Sequence, residues 1–112
     1  MNETVVTRFV EVNGDDLWYS AYSHIVDFAL PLIKRLRQAS NVPRSFLPVD
    51  VYSLTGDERE QAIRDGLTEY HGVLDAIIKA FERISNDEQF YYPEEVQAGC
   101  ELFGKHFQTL WD

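Results

Sequence analysis

The residues best suited to recognition lie in one short segment, where three aromatic side chains precede a proline and two acids. Tyr and Phe bury large apolar areas at a modest cost in conformational entropy, which is why they anchor protein interfaces. Acidic side chains beside them can steer a basic partner. We therefore predict a partner-binding surface that consists of Phe90, Tyr91, Tyr92, Glu94, Glu95, Asp87 and Glu88.

The same segment carries the signals of a helix start, which account for part of its composition. Pro93 suits the first position of a helix, and the two acids that follow it suit the positive end of the helix dipole. With Pro93 at that position, Tyr91 is placed to pack on Val96 as a hydrophobic staple. This interpretation leaves Phe90 or Tyr92 as the exposed anchor, beside an acidic rim.

The sequence Tyr91-Tyr92-Pro93, in an acidic helical chain, resembles the exposed Tyr-Tyr-Pro of the immunity proteins that inhibit DNase-type colicins. The resemblance covers three residues, and those proteins are shorter, with less chain before the motif. It implies an analogy for how such a surface would work, with aromatic rings that anchor a partner.

Three histidines, one on each predicted helix, are the candidate metal ligands: His24, His71 and His106. In a helical bundle, ligands from facing helices can converge on a metal ion. The sequence nevertheless has no Glu-x-x-His pair, no His-x-x-x-His pair and no second cysteine. We therefore expect no cofactor and no metal, and we expect the histidines to form hydrogen bonds at the edge of the core.

A cysteine nucleophile is the other chemistry that the residue types would allow. Cys100 and His106 lie six residues apart on one predicted helix, so at about 100° per residue they point in different directions. We expect Cys100 to be a core residue. Because no other catalytic motif is present, we expect that the protein is not an enzyme.

Length and composition predict one domain over residues 1–112, in a reducing compartment. The single cysteine excludes an internal disulfide, and the chain begins without the basic and apolar segments of a signal peptide. Its apolar stretches are shorter than a membrane span requires. These features predict a cytoplasmic protein without a membrane partner.

The formal net charge of -9 disfavours binding to nucleic acid and favours a basic protein partner. A local basic cluster consists of Lys34, Arg35, Arg37 and Arg44. The first three are explained by charges near a helix C-terminus. Acids on the second helix could instead imitate phosphates and occupy a nucleic-acid site on another protein. They are Asp57, Glu58, Glu60, Asp65, Glu69, Asp75 and Glu82.

Apolar residues spaced by threes and fours predict three long helices. The first begins at Asp15-Asp16 and contains Pro31, where we expect a kink or a change from one helix to another. The second begins at a capping box formed by Thr55 and Glu58, and the third runs from Pro93 to about residue 110. This pattern predicts an all-α fold, an antiparallel bundle of three main helices.

Two segments are candidate strands. Residues 4–12 are rich in β-branched side chains and end at the turn pair Asn13-Gly14, and residues 49–52 are a second, weaker candidate. The N-terminal segment would then be a short β-strand.

We predict a small, acidic, non-enzymatic protein-binding module, adaptor or inhibitor. Self-association is the first alternative, through residues 4–12 or through the aromatic residues Trp18, Tyr19 and Tyr22, and it would give a homo-oligomer. The second alternative is a metal-binding helical-bundle enzyme.

Overall fold

A computed structural model describes residues 4–6, 14–39 and 41–111, and these form the predicted all-α bundle. Helix α1 spans Gly14–Gln38, α2 spans Gly56–Ser85 and α3 spans Pro93–His106. Two short 3-10 helices, Arg44–Phe46 and Val51–Ser53, lie in the connection between α1 and α2. No described helix has both the length and the apolar character that a membrane crossing requires.

Helix α2 lies at the centre of the bundle. Both α1 and α3 pack on it, and within the described residues they do not pack on each other. The apolar spacing of the sequence predicts a core stripe on α2 that consists of Ile63, Leu67, Tyr70, Leu74, Ile77, Ile78, Phe81 and Ile84. Five of these residues are buried, Leu67 and Ile78 are partly buried, and Ile63 is exposed. Val26 and Ile33 of α1, Phe46 of the connection and Leu110 of the C-terminal turns are buried in the same core. Helix α3 contributes partly buried side chains that pack against it, namely Val96, Leu102 and Phe103.

Several predicted boundaries differ from the observed ones. Helix α1 begins at Gly14 and continues through Pro31 without a break, so the alternative of two helices is wrong, whereas a kink at Pro31 stays a prediction. Thr55 precedes α2 as predicted, but its side chain makes no capping hydrogen bond. Instead, the side chain of Arg59 donates to the carbonyl oxygens of Tyr52 and Leu54, both at 2.9 Å, and so ties the preceding segment to the helix.

Neither predicted strand is found among the described residues. Residues 49–52 do not form a strand, because Val51 begins a 3-10 helix and its side chain turns into the core. Residues 4–6 are not in a strand either, and residues 7–12 lie outside the described residues.

Helix α3 approaches α2 closely because small residues face one another at the crossing. A Cβ atom added to Gly99 would meet the Cβ atom of Ala80 and would lie 2.6 Å from the carbonyl oxygen of Ala76. Neither atom can move without displacing the backbone of α2. A comparable approach occurs at Gly66, where an added Cβ atom would lie 2.5 Å from the carbonyl oxygen of Phe46.

We predict that Gly99→Ala lowers the free energy of unfolding by about 1–3 kcal/mol, because the added methyl group forces α2 and α3 apart. Urea unfolding measures this change. Gly104→Ala is the matched control on the same helix, since nothing lies within 4 Å of its added Cβ atom. The control should be more stable than the wild type by up to about 1 kcal/mol. Equal gains in both variants would contradict the close crossing.

The C-terminal turns are joined to α2 by one buried hydrogen bond. The hydroxyl of Tyr70 donates to the carbonyl oxygen of Leu110 at 2.6 Å, and the side chain of Leu110 is fully buried. The Tyr70 ring also packs against Phe46, with ring centroids 5.1 Å apart. Burial raises the pKa of Tyr70 above its ordinary value of 10.0.

We predict that Tyr70→Phe lowers the free energy of unfolding by about 1–2 kcal/mol near neutral pH, because a buried carbonyl oxygen loses its partner. The wild type should also lose stability as the pH rises above about 10. There the unfolded chain releases the Tyr70 proton while the folded chain, with its raised pKa, retains it. Unfolding curves across alkaline pH should show a shallower decline for Tyr70→Phe than for the wild type. The exposed control Tyr52→Phe should follow the wild type; identical slopes in all three proteins would exclude this role of Tyr70.

Candidate functional site

The predicted binding segment lies in the loop that connects α2 to α3. The loop begins with a Schellman-type C-cap. The backbone N–H of Asp87 donates to the carbonyl oxygen of Ile84 at 3.0 Å, and the backbone N–H of Glu88 donates to the carbonyl oxygen of Arg83 at 2.7 Å. Asp87 has a φ of 58°, in the left-handed region where glycine is the usual residue. The chain therefore turns sharply at Asp87, three residues before Phe90.

Arg83 holds the two sides of the loop together. Its Nε atom donates to Oε1 of Glu95 at 3.0 Å, and its Nη1 atom donates to Oε1 of Glu88 at 3.3 Å. Its guanidinium carbon lies 3.6 Å from the ring centroid of Tyr92. The hydrogen bond to Glu95, reinforced by Glu88, raises the pKa of Arg83. One cation therefore contacts the end of α2, the loop and the first turn of α3.

The aromatic side chains of the loop differ in exposure. Phe90 is 80% exposed and Tyr91 is 81% exposed, whereas Tyr92, which stacks on Arg83, is 41% exposed. The predicted staple between Tyr91 and Val96 is therefore wrong, because a Tyr91 packed on Val96 could not be so exposed. Two adjacent rings, Phe90 and Tyr91, are therefore exposed where we expected one.

The acidic residues of the predicted surface fall into two groups. Glu88 and Glu95 are held by Arg83, and Glu95 also lies 3.8 Å from Nζ of Lys79. Asp87 and Glu94 are exposed. A shallow depression of about 390 Å³ lies beside Glu94, lined by Tyr91, Tyr92, Pro93, Glu94 and Glu95. The predicted residues do lie together, but two of their acids, Glu88 and Glu95, take part in three ion pairs with Arg83 and Lys79.

Gln89 connects the loop to α1. Its Nε2 atom lies 3.0 Å from the hydroxyl oxygen of Tyr22 and 3.4 Å from Oδ1 of Asp87, and it donates a hydrogen bond to each. Sequence reasoning missed Gln89 and Arg83 as parts of this site. A basic residue in the last turn of a helix is expected for the helix dipole alone, so the Arg83 position gave no separate signal of its contacts across the loop.

The three histidines are not brought together as a metal site. The ring of His106 stacks on Phe46 with centroids 5.0 Å apart, and the ring centroid of His71 lies 6.2 Å from that of Tyr70. Among the described residues, no group of three or more His, Cys, Asp or Glu side chains is arranged to hold a metal ion. We expected the histidines to form hydrogen bonds at the edge of the core. Nδ1 of His24 and Nε2 of His71 are buried, but neither atom has a hydrogen-bond partner among the described residues.

Cys100 is exposed, so its prediction as a core residue is wrong. The adjacent Gly99 takes the position against α2, where only a small residue fits. Partial burial of the sulfur raises the pKa of the Cys100 thiol. This shift lowers the thiolate fraction near neutral pH, which is opposite to the shift that activates a cysteine nucleophile.

Two members of the basic cluster form ion pairs with α2. Nζ of Lys34 lies 3.1 Å from Glu82, and Nε of Arg37 lies 2.7 Å from Asp75. These pairs join the two helices and neutralise two of the seven acids that could have imitated phosphates. The continuous acidic face expected on α2 is therefore interrupted on the side that faces α1.

Comparisons with protein-family models, with curated proteins and with solved structures find no match for this chain.

We predict that Asp87→Gly raises the free energy of unfolding by about 0.5–1 kcal/mol, because glycine adopts a positive φ without a steric penalty. Thermal or urea unfolding measures the change. The matched control is Asn86→Gly, since Asn86 has a φ of -91° and gains nothing from glycine. The control should be less stable than the wild type; stabilisation of both variants would show that the effect does not come from the backbone angle of Asp87.

Proposed function

We propose that this protein is a non-enzymatic binding module, an adaptor or inhibitor, that engages a basic protein through the loop between α2 and α3. The observation that carries this proposal is the exposure of Phe90 and Tyr91 on a loop whose two ends are joined by side-chain hydrogen bonds from Arg83. Two adjacent exposed aromatic rings would bury a large area against a partner, which is the chemistry of an interface anchor.

The loop favours binding because its shape is set before the partner arrives. Arg83 contacts Glu88, Glu95 and Tyr92, and Gln89 links the loop to α1. Ordering a flexible loop on association would cost conformational free energy, so a loop that is already ordered retains more of the interaction for affinity. The interaction of Arg83 with Tyr92 also keeps that ring at the edge of the depression.

The chemistry of the depression fits a lysine or arginine side chain of the partner. Tyr91 and Tyr92 present aromatic rings, and Glu94 supplies an exposed carboxylate at the same place. A cation in this position would gain both a cation–π interaction and an ion pair. The net charge of -9 would accelerate the approach of a basic partner.

A basic partner that handles nucleic acid would bring its phosphate-binding residues to this surface. Asp87 and Glu94 would then occupy positions that phosphates otherwise fill, and the protein would act as an inhibitor. We place this activity in the cytoplasm, because a chain with one cysteine and no disulfide suits a reducing compartment.

We predict that the double variant Phe90→Ala/Tyr91→Ala weakens partner binding at least about tenfold, because it removes both anchors. The partner is first captured from lysate of the source cells on immobilised wild-type protein and released by salt, and its affinity for each variant is then measured by calorimetry. Raising the salt concentration should weaken binding, since the steering charges are screened.

Tyr52→Ala is the matched control for this experiment. Tyr52 is also highly exposed, but it lies in the connection before α2, away from the loop. The control should bind as the wild type does, and all variants should retain their thermal stability. Equal binding by the double variant and the wild type would exclude this loop as the interface.

A further inference from the structure

Helix α1 carries two parallel apolar stripes, of which α2 covers one. The covered stripe, here called the inner stripe, contains Val26, Ala29, Ile33 and Leu36. Its spacing of three and four residues places these side chains on one side of the helix. Val26 and Ile33 are buried against α2, and the other two members pack at the edge of the same core.

The second stripe is displaced by one residue along the sequence, so it lies about 100° around the helix from the inner stripe, on the flank of α1. It consists of Ile25, Phe28 and Leu32, here called the outer stripe, which are 63%, 48% and 39% exposed. In the sequence, the same spacing continues back to Ala21 and Trp18. Single exposed apolar side chains are ordinary, but a row of them at the spacing of a helix–helix seam indicates a contact surface.

The charges around the outer stripe indicate which kind of partner it accepts. Helix α1 contains three acids and three basic residues, whereas the rest of the chain contains sixteen acids and seven basic residues. The acid nearest to the stripe in sequence is Asp27, which accepts a hydrogen bond from Ser85 of α2 at 2.9 Å and so points away from the stripe. Two copies of this acidic protein can therefore meet at α1 with less repulsion than elsewhere on the chain.

The distribution of charge along α1 also selects an orientation. Two acids, Asp15 and Asp16, lie at its beginning, and three basic residues lie near its end. Lys34 and Arg37 at that end pair with Glu82 and Asp75 of α2, so they add little to the choice of orientation. A parallel pair of α1 helices would align the two helix dipoles and place the acidic beginnings side by side, whereas an antiparallel pair opposes the dipoles and separates the acids.

We propose that the outer stripe is the interface of a symmetric homodimer, in which two α1 helices pack antiparallel about a two-fold axis near Phe28. In this register Phe28 meets its own copy, and Ile25 of each protomer meets Leu32 of the other. The interface is self-complementary, as a two-fold axis requires. This surface is distinct from Phe90 and Tyr91, so the inference is independent of the proposed partner-binding loop.

Sedimentation of the full chain from about 1 to about 100 µM tests the dimer, since micromolar association is measurable in this range. We expect the wild type to be dimeric at the upper concentrations. Phe28→Glu should raise the dissociation constant at least about 100-fold, because it brings two carboxylates together in an apolar contact. Val49→Glu is the matched control, because Val49 is fully exposed in the connection before α2. This control and the Phe90→Ala/Tyr91→Ala variant should remain dimeric.

A cross-linking experiment tests the antiparallel register. Cys100→Ser removes the native thiol, and two further variants in this background carry either Ile25→Cys or Leu32→Cys. Disulfides require Cα atoms within about 7 Å of each other, so an equimolar mixture should oxidise mainly to the heterodisulfide between the two variants. Circular dichroism should show an unchanged helix content in each variant.

Three results would overturn the proposal. The first is a wild type that stays monomeric at every concentration, and the second is a dimer that is unaffected by Phe28→Glu. The third is oxidation that favours disulfides between identical variants, which would indicate parallel helices.

Discussion

The packing of two helices on a single central one is the constraint on which the rest of this structure depends. Helix α2 presents a continuous buried stripe, whose members Leu74 and Ile77 are fully buried, and both neighbouring helices cover it. Because α1 and α3 do not pack on each other within the described residues, neither can compensate for a loss of contact with α2. Both surfaces of interest follow from this arrangement.

The two helix crossings on α2 are stabilised by different means. At the α2–α3 crossing, Gly99 faces Ala76 and Ala80, so the backbones approach closely and the packing tolerates no added atom. At the α1–α2 crossing, the apolar contact is flanked by ion pairs at exposed positions, such as that of Lys34 with Glu82. Exposed pairs of this kind contribute about 0–1 kcal/mol each, so apolar burial dominates the stability of this crossing. An α1 helix with a second apolar stripe would gain further stability from a second contact.

The sequence predicted the number of helices, the stripe of α2 and the start of α3 at Pro93, because periodicity and a proline at the first turn are local signals. It could not separate the two stripes of α1, since Ile25 and Val26 are adjacent and both continue at the same spacing. It misplaced Cys100 for a related reason. An apolar pattern favours the larger residue, whereas a close backbone approach selects the glycine next to it. Tyr91 is exposed while its neighbour Tyr92 stacks on Arg83, and no local pattern indicates this contact across the loop.

The loop and the outer stripe are physically connected, although each is a separate surface. Gln89 in the loop is bonded to the hydroxyl of Tyr22, which lies on α1 one turn before Ile25. A dimer through α1 would therefore carry two loops on one assembly, each held to a helix of the interface. A partner with two basic sites would then bind the second loop at a high effective concentration, so that modest affinity at each loop would give much tighter overall binding. A dimer of this kind would suit an adaptor for repetitive or oligomeric basic partners, whereas an inhibitor of a single site would require only one loop.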